Sequence, residues 1–127
     1  MNLRAVFLAI FAVLWPLAAS AREQIDKFDV DIAVQQNGDI AVTETIAVTA
    51  EGVDIRRGIF RALPRYYEKD GARIPYSYDI RRVTRDGARE PHMLEREGGA
   101  LVLYIGDEDV FIDRGAHVYE IEYAVEN

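Results

Sequence analysis

Alternation of apolar and polar residues is the feature that most restricts what this chain can fold into. Phe28, Val30, Ile32 and Val34 alternate with Asp29, Asp31 and Ala33, and a period of two is the pattern of a half-buried strand. A second run sets Ile40, Val42, Ile46 and Val48 on one face and Ala41, Thr43, Thr45 and Ala47 on the other. Gln36-Asn37-Gly38 lies between them, and parity decides how it turns. A two-residue Asn-Gly turn would pair Ile32 with Thr43, an apolar face against a polar one. A three-residue loop with Gly38 in the left-handed region pairs Val34 with Ile40 and Ile32 with Val42. That register leaves one misplaced residue: Glu44 falls on the apolar face, opposite Val30.

A second anomaly follows downstream. Arg56-Arg57-Gly58-Ile59-Phe60-Arg61-Ala62-Leu63-Pro64 places three arginines among large apolar residues. A guanidinium there is costly unless a carboxylate, a phosphate or carbonyl oxygens receive it. Glu44 and this segment explain one another if Glu44 pairs with Arg57 or Arg61 in a structural ion pair. Pro64 has no amide proton and biases Leu63 away from helix, so the segment is extended or looped.

The remaining chain continues in short alternating pieces. Tyr66 to Gly71 is a polar excursion turning at Asp70-Gly71, and Ile74 to Val83 alternates through Tyr76, Tyr78 and Ile80. Asp86-Gly87 turns the chain again, and His92 to Glu95 is a weak strand. Gly98-Gly99 marks a hairpin into Ala100–Ile105. The last strand carries Tyr119, Ile121, Tyr123 and Val125 on one face. No stretch after Ala21 keeps a helical period. Short strands at near-regular spacing with Gly and Asp turns predict an all-β chain, an antiparallel, immunoglobulin-like β-sandwich.

The first residues follow other rules. Met1 to Arg4 is a short basic start, Ala5 to Trp15 an apolar core, Pro16 a helix breaker, and Ala19-Ser20-Ala21 a small-residue cleavage site. This is the layout of a signal peptide, and the run is shorter than the roughly 20 apolar residues a membrane span needs. We therefore expect a signal-peptide helix over residues 1–21 and one exported domain over residues 22–127. The chain carries a net charge of -7 and no cysteine. Such acidity argues against a nucleic-acid partner, and the domain has to hold together through its core without disulfides.

Candidate chemistry is sparse. There is no Gly-x-Ser-x-Gly elbow, HExxH pair or phosphate loop. His92 and His117 are too isolated for a zinc site, and His117 is expected as an exposed edge or turn residue. Asp107-Glu108-Asp109, with Asp113 nearby, is the one candidate cation-binding loop, although a solvated acidic turn explains it as well. Tyr66, Tyr67, Tyr76 and Tyr78 could line a glycan or peptide groove or fill the core. As a catalytic acid Glu44 lacks a second placed carboxylate. We assign no catalytic residue, no metal and no cofactor.

Several motifs together resemble the start of the YciQ-like predicted bacterial membrane proteins. They are Asn37-Gly38-Asp39-Ile40-Ala41-Val42-Thr43-Glu44, then Arg57-Gly58-Ile59-Phe60-Arg61 with Pro64, then Ile105-Gly106-Asp107, and the closing Gly115, Tyr119 and Tyr123. The resemblance implies an N-terminal extracytoplasmic (periplasmic) domain of unknown function in the cell envelope, tethered to the membrane by downstream helices absent from this chain. It implies no catalytic residues. It also leads us to expect that the chain is the first part of a longer protein. The function expected is non-enzymatic binding of a protein or glycan ligand. The alternative is an envelope enzyme acting on glycan or peptide, with Glu44 or the Asp107–Asp109 loop as its acid.

Overall fold

The computed structural model describes residues 22–126; the expected signal peptide, residues 1–21, lies outside the described residues. Ten strands run through the described part: β1 (Gln24–Val34), β2 (Ile40–Ala50), β3 (Gly58–Pro64), β4 (Tyr66–Lys69), β5 (Ala72–Pro75), β6 (Ser77–Arg85), β7 (Ala88–Arg89), β8 (His92–Glu97), β9 (Ala100–Gly106) and β10 (Gly115–Glu126). All strand pairs are antiparallel. A five-stranded sheet has the order β1-β2-β10-β6-β7, a three-stranded sheet the order β3-β9-β8, and β4-β5 is a separate hairpin.

The β1–β2 hairpin adopts the register that parity requires, with Val34 opposite Ile40, Ile32 opposite Val42 and Val30 opposite Glu44. Gln35 N–H donates to the Asp39 carbonyl at 2.8 Å, Gly38 N–H donates to the Gln35 carbonyl at 3.0 Å, and Gly38 sits at φ 91°. The turn is therefore a reverse turn closed by a left-handed glycine, which adds the odd residue that keeps both apolar rows on one side. Asp70-Gly71 and Asp86-Gly87 both carry positive φ at their two central positions, the geometry that suits the right-handed twist of a tight hairpin.

Buried residues of the two larger sheets meet in one core. Val42, Ile46 and Val48 of β2, Val83 of β6, and Tyr119, Ile121 and Tyr123 of β10 pack with Leu63 of β3 and Leu103 and Ile105 of β9. β2 shows the expected alternation over its whole length, with every second side chain from Val42 to Ala50 buried.

Two local expectations need correction. β1 is not half-buried: Phe28, Val30, Ile32 and Val34 are all exposed. β1 is an edge strand paired only with β2, and no β1 residue joins the core. Periodicity finds the face of a strand, not whether the opposite sheet is wide enough to cover it. Ile74 to Val83 is not one strand either. β5 ends at Pro75, which cannot donate to a ladder, and β6 starts at Ser77.

Candidate functional site

Glu44 is 1% exposed, yet its carboxylate is surrounded by donors. Arg61 Nε donates to Oε2 at 2.8 Å and Arg61 Nη2 to Oε1 at 3.0 Å, while the Tyr123 hydroxyl donates to Oε1 at 2.8 Å. The fork-to-fork pairing suits the planar guanidinium. Arg61 also donates from Nη1 to the Ala62 carbonyl at 2.7 Å and lies over the Phe28 ring, 5.3 Å from its centroid. Burial first, then the hydrogen bond to Glu44, holds the Tyr123 hydroxyl well above the usual phenol range. The hydrogen bond to Glu44 raises Arg61 further, against the cost of its partial burial. A carboxylate with both oxygens engaged by an arginine and a neutral phenol is neither a free nucleophile nor a ready proton donor.

Arg57, the other arginine considered for Glu44, goes elsewhere. Its guanidinium lies over the exposed Phe111 ring, 4.9 Å from the centroid. Gly58 separates the two arginines, with φ 151°, and Gly106 faces it across the ladder with φ 127°. A Cβ on Gly58 would stand 1.8 Å from the Ile105 carbonyl oxygen, and one on Gly106 would stand 2.0 Å from that of Arg57. The two backbones touch here, which accounts for a glycine in each strand pattern.

This close crossing forms the floor of a groove of about 530 Å³. Arg56, Arg57 and Asp54 line it from the β2–β3 loop, Phe60 from β3, His92 and Met93 from β8, Tyr104 from β9, and Asp107 and Glu108 from the β9–β10 loop. Phe60 and Met93 both sit opposite Tyr104, forming an outward row across the three-stranded sheet. Phe60 is 68% exposed, and its ring centroid is 6.1 Å from that of Tyr104. The volume and the mixture of apolar and charged walls suit a ligand or partner side chain.

Two devices fix the loops around the groove. Glu23 points its carboxylate into the β2–β3 loop, where it accepts from the N–H groups of Glu51 (3.0 Å), Val53 (2.8 Å), Asp54 (2.5 Å) and Ile55 (3.2 Å). Desolvation opposes its ionisation, but these four backbone donors outweigh it and bring the Glu23 carboxyl down to about 2. The β9–β10 loop is tied to the same region by the Ile112 N–H, which donates to the Arg56 carbonyl at 2.9 Å. Nothing in the local sequence marks Glu23, because its partners lie 28 to 32 residues away.

The acidic loop is a self-capped turn. Asp109 N–H donates to Asp107 Oδ1 at 2.8 Å and Val110 N–H to the Asp107 carbonyl at 3.1 Å. Among the described residues no group of three His, Cys, Asp or Glu is placed to hold a metal ion. Three of the four candidate tyrosines continue a chain of rings from the core outward. Tyr123, Tyr78, Tyr76 and Tyr67 follow one another at 6.0, 5.8 and 4.9 Å between centroids, and Tyr66 lies beneath Arg65 and Arg73. His117, expected at an exposed edge, is 6% exposed. It faces the interior of β10 because its partners come from the β6–β7 turn and the β9–β10 loop.

Comparison with known proteins agrees with this architecture. The native leukotriene A4 hydrolase of Saccharomyces cerevisiae superposes with a TM-score of 0.55 at 14% identity, over 80% of this chain and 15% of that one; at such identity the likeness is one of fold. An uncharacterised protein of Escherichia coli strain K12, YciQ, is 36% identical over 109 residues, which is 85% of this chain and 17% of YciQ. The chain thus spans about a sixth of the length of that relative. Residues 24–127 match the N-terminal domain of the predicted membrane proteins called DUF2207. The chain therefore belongs to the DUF2207 family of predicted membrane proteins, and it carries that family's N-terminal domain.

Proposed function

We propose that this domain is a non-enzymatic recognition module on the extracytoplasmic, periplasmic side of a membrane-anchored envelope protein, and that its groove takes a protein or glycan partner. The observation that carries the proposal is a contrast. The one deeply buried acid among the described residues, Glu44, is spent on Arg61 and Tyr123, whereas Phe60, Met93, Arg56 and Arg57 gather at an open groove. Neither Arg56 nor Arg57 has a carboxylate partner within salt-bridge distance among the described residues. The acidity of the chain disfavours nucleic acid as that partner.

We read the two larger sheets as an antiparallel sandwich, supported by their shared core and by the Arg61–Glu44 bridge between them. The immunoglobulin label extends to the architecture only. The last strand, β10, lies between β2 and β6, where an immunoglobulin domain puts its E strand.

Residues 1–21 serve on this reading as a cleaved signal peptide, and the exported product should begin at Arg22 on N-terminal sequencing. A product retained in the membrane with Met1 would contradict cleavage. Orientation is tested with one cysteine introduced into this domain, which has none of its own, and labelling is read as the increase over the unsubstituted full-length protein. In the full-length membrane protein, Thr45→Cys should react with a membrane-impermeant maleimide from outside the inner membrane. Reaction only after lysis would place the domain inside. Binding is tested on arrays of envelope glycans and peptides. Binding lost in both Phe60→Ala and Arg57→Ala with unaltered melting supports the groove, and binding indifferent to both, or turnover of an array member, overturns the proposal.

A further inference from the structure

His117 is held by acceptors at both ring nitrogens. Nδ1 lies 2.7 Å from Asp86 Oδ2, and Nε2 lies 2.6 Å from the carbonyl oxygen of Asp113. A carbonyl can only accept, and so can an ionised carboxylate. A neutral imidazole has one N–H and can satisfy one of the two, whereas the imidazolium satisfies both. Asp86 is itself fixed, since its Oδ1 accepts from the Val118 N–H at 2.8 Å. The clamp therefore ties the β6–β7 turn, the start of β10 and the end of the β9–β10 loop to one ring.

That loop belongs to the groove. Asp107 and Glu108 line it, Phe111 lies under the guanidinium of Arg57, and Ile112 is bonded to the Arg56 backbone. We propose that His117 is a proton-operated latch: charged, it holds the loop of residues 107–114 and with it one wall of the groove, and neutral, it releases the loop. The effect on the groove rests on the binding role proposed above; the latch itself does not.

Asp86 faces the His117 ring from the β6–β7 turn, and Asp113 gives its backbone oxygen from the loop. Arg85 of β6 brings Nη1 to 3.5 Å of Nδ1 and opposes the charge, but it is itself engaged by Glu90. β2 sets Val48 opposite, and Tyr119 lies two residues along β10. Burial alone would push His117 down, yet the hydrogen bonds to Asp113 and Asp86 and the Asp86 charge outweigh it, and the net direction is up. The stabilisation is therefore fully present below the ordinary histidine value and lost as pH rises through the raised folded one. Asp86 is moved down, its bonds to Val118 and His117 outweighing its desolvation, so its share is present above the ordinary aspartate value and lost as pH falls through the depressed one. The latch is closed between these limits and opens on the alkaline side.

Ring nitrogen-15 spectra and amide hydrogen exchange of the ligand-free protein test this directly, because His92 is the other histidine of the chain and His92→Gln assigns the signals. We expect His117 to carry protons on both nitrogens at neutral pH and to titrate above the ordinary histidine value. As it deprotonates, the Val110 and Ile112 amides should lose protection after correction for intrinsic exchange. In Asp86→Asn, which keeps the side-chain shape, the His117 titration should move down. A neutral ring at neutral pH, protection that stays flat through the titration, or an Asp86→Asn protein whose His117 titrates unchanged would each overturn the latch. Failure of the groove reading looks different: these spectra behave as expected while array binding ignores Phe60 and Arg57.

Discussion

Arg61 of the three-stranded sheet grips Glu44 of the five-stranded sheet with two nitrogens, at 2.8 and 3.0 Å, in a part-buried pair beside the core both sheets share. Taking a carboxylate out of water costs several kcal/mol per ion in effective terms, and only close, well-directed donors repay it. The Tyr123 hydroxyl at 2.8 Å completes the set. An arrangement of this kind contributes little net stability over a well-packed apolar core, but losing one partner is expensive, so it specifies which strands face one another.

Tyr123→Phe removes one donor from a charged acceptor and leaves the ring packing in place. We expect a loss of roughly 1.5–3 kcal/mol, read as a lower urea midpoint with an unchanged slope. Tyr78→Phe is the control. Its hydroxyl donates to the Pro64 carbonyl at 2.8 Å in a more exposed setting, and about 1 kcal/mol or less is expected.

Gly58→Ala and Gly106→Ala should be the most damaging single changes in the groove. Each Cβ would fall within about 2 Å of a backbone carbonyl oxygen, at 1.8 and 2.0 Å, and backbone cannot step aside as a side chain can. Steric conflict and an unfavourable φ act together, so more than ~3 kcal/mol is expected. Gly87→Ala, with positive φ but nothing near its Cβ, should cost about 1 kcal/mol. Thermal melts of the three variants rank them.

Glu23→Gln tests the grip on the β2–β3 loop. The carboxyl titrates at about 2 in the fold, below its ordinary value, so its contribution is present above that ordinary value and lost as pH falls through about 2. The expected result is faster hydrogen exchange at Val53, Asp54 and Ile55 in Glu23→Gln at neutral pH, with core amides of β2 and β10 unchanged. Equal protection in both proteins would show that the loop holds itself.

Calcium should leave the protein unmoved. Asp107 already spends Oδ1 and its carbonyl on the backbone of its own turn. A ligand that binds only the native state raises the melting temperature. No shift is expected in millimolar calcium, and a rise of several degrees would make the acidic loop a cation site.

The hairpin was legible because period-two patterns and a lone glycine constrain register strongly. Glu44 on the apolar row pointed to the arginine segment, but pattern alone did not choose between Arg57 and Arg61. Both share the inward parity of Ile59 and Leu63, and what separates them is Gly58, where the backbone contact with β9 begins the strand. The exposure of β1 could not be read, since it depends on how far the smaller sheet extends. His117 and Asp86, 31 residues apart, meet only because β10 lies beside β6, and strand order is not written in alternation. The outward row of Phe60, Tyr104 and Met93 was hidden for the same reason.

The measurement closest to the central claim, that Glu44 serves the joining of the two sheets, is a double-mutant cycle of Glu44→Gln and Arg61→Met by urea denaturation. Glu44→Gln alone should cost roughly 1–3 kcal/mol. Arg61→Met should cost less in the Glu44→Gln background than alone, with a coupling of about 0.5–3 kcal/mol, and Arg57→Met in the same cycle should show none. Costs for Glu44 and Arg61 that simply add, within about 0.5 kcal/mol, would contradict the account and return Glu44 to the candidates for chemistry.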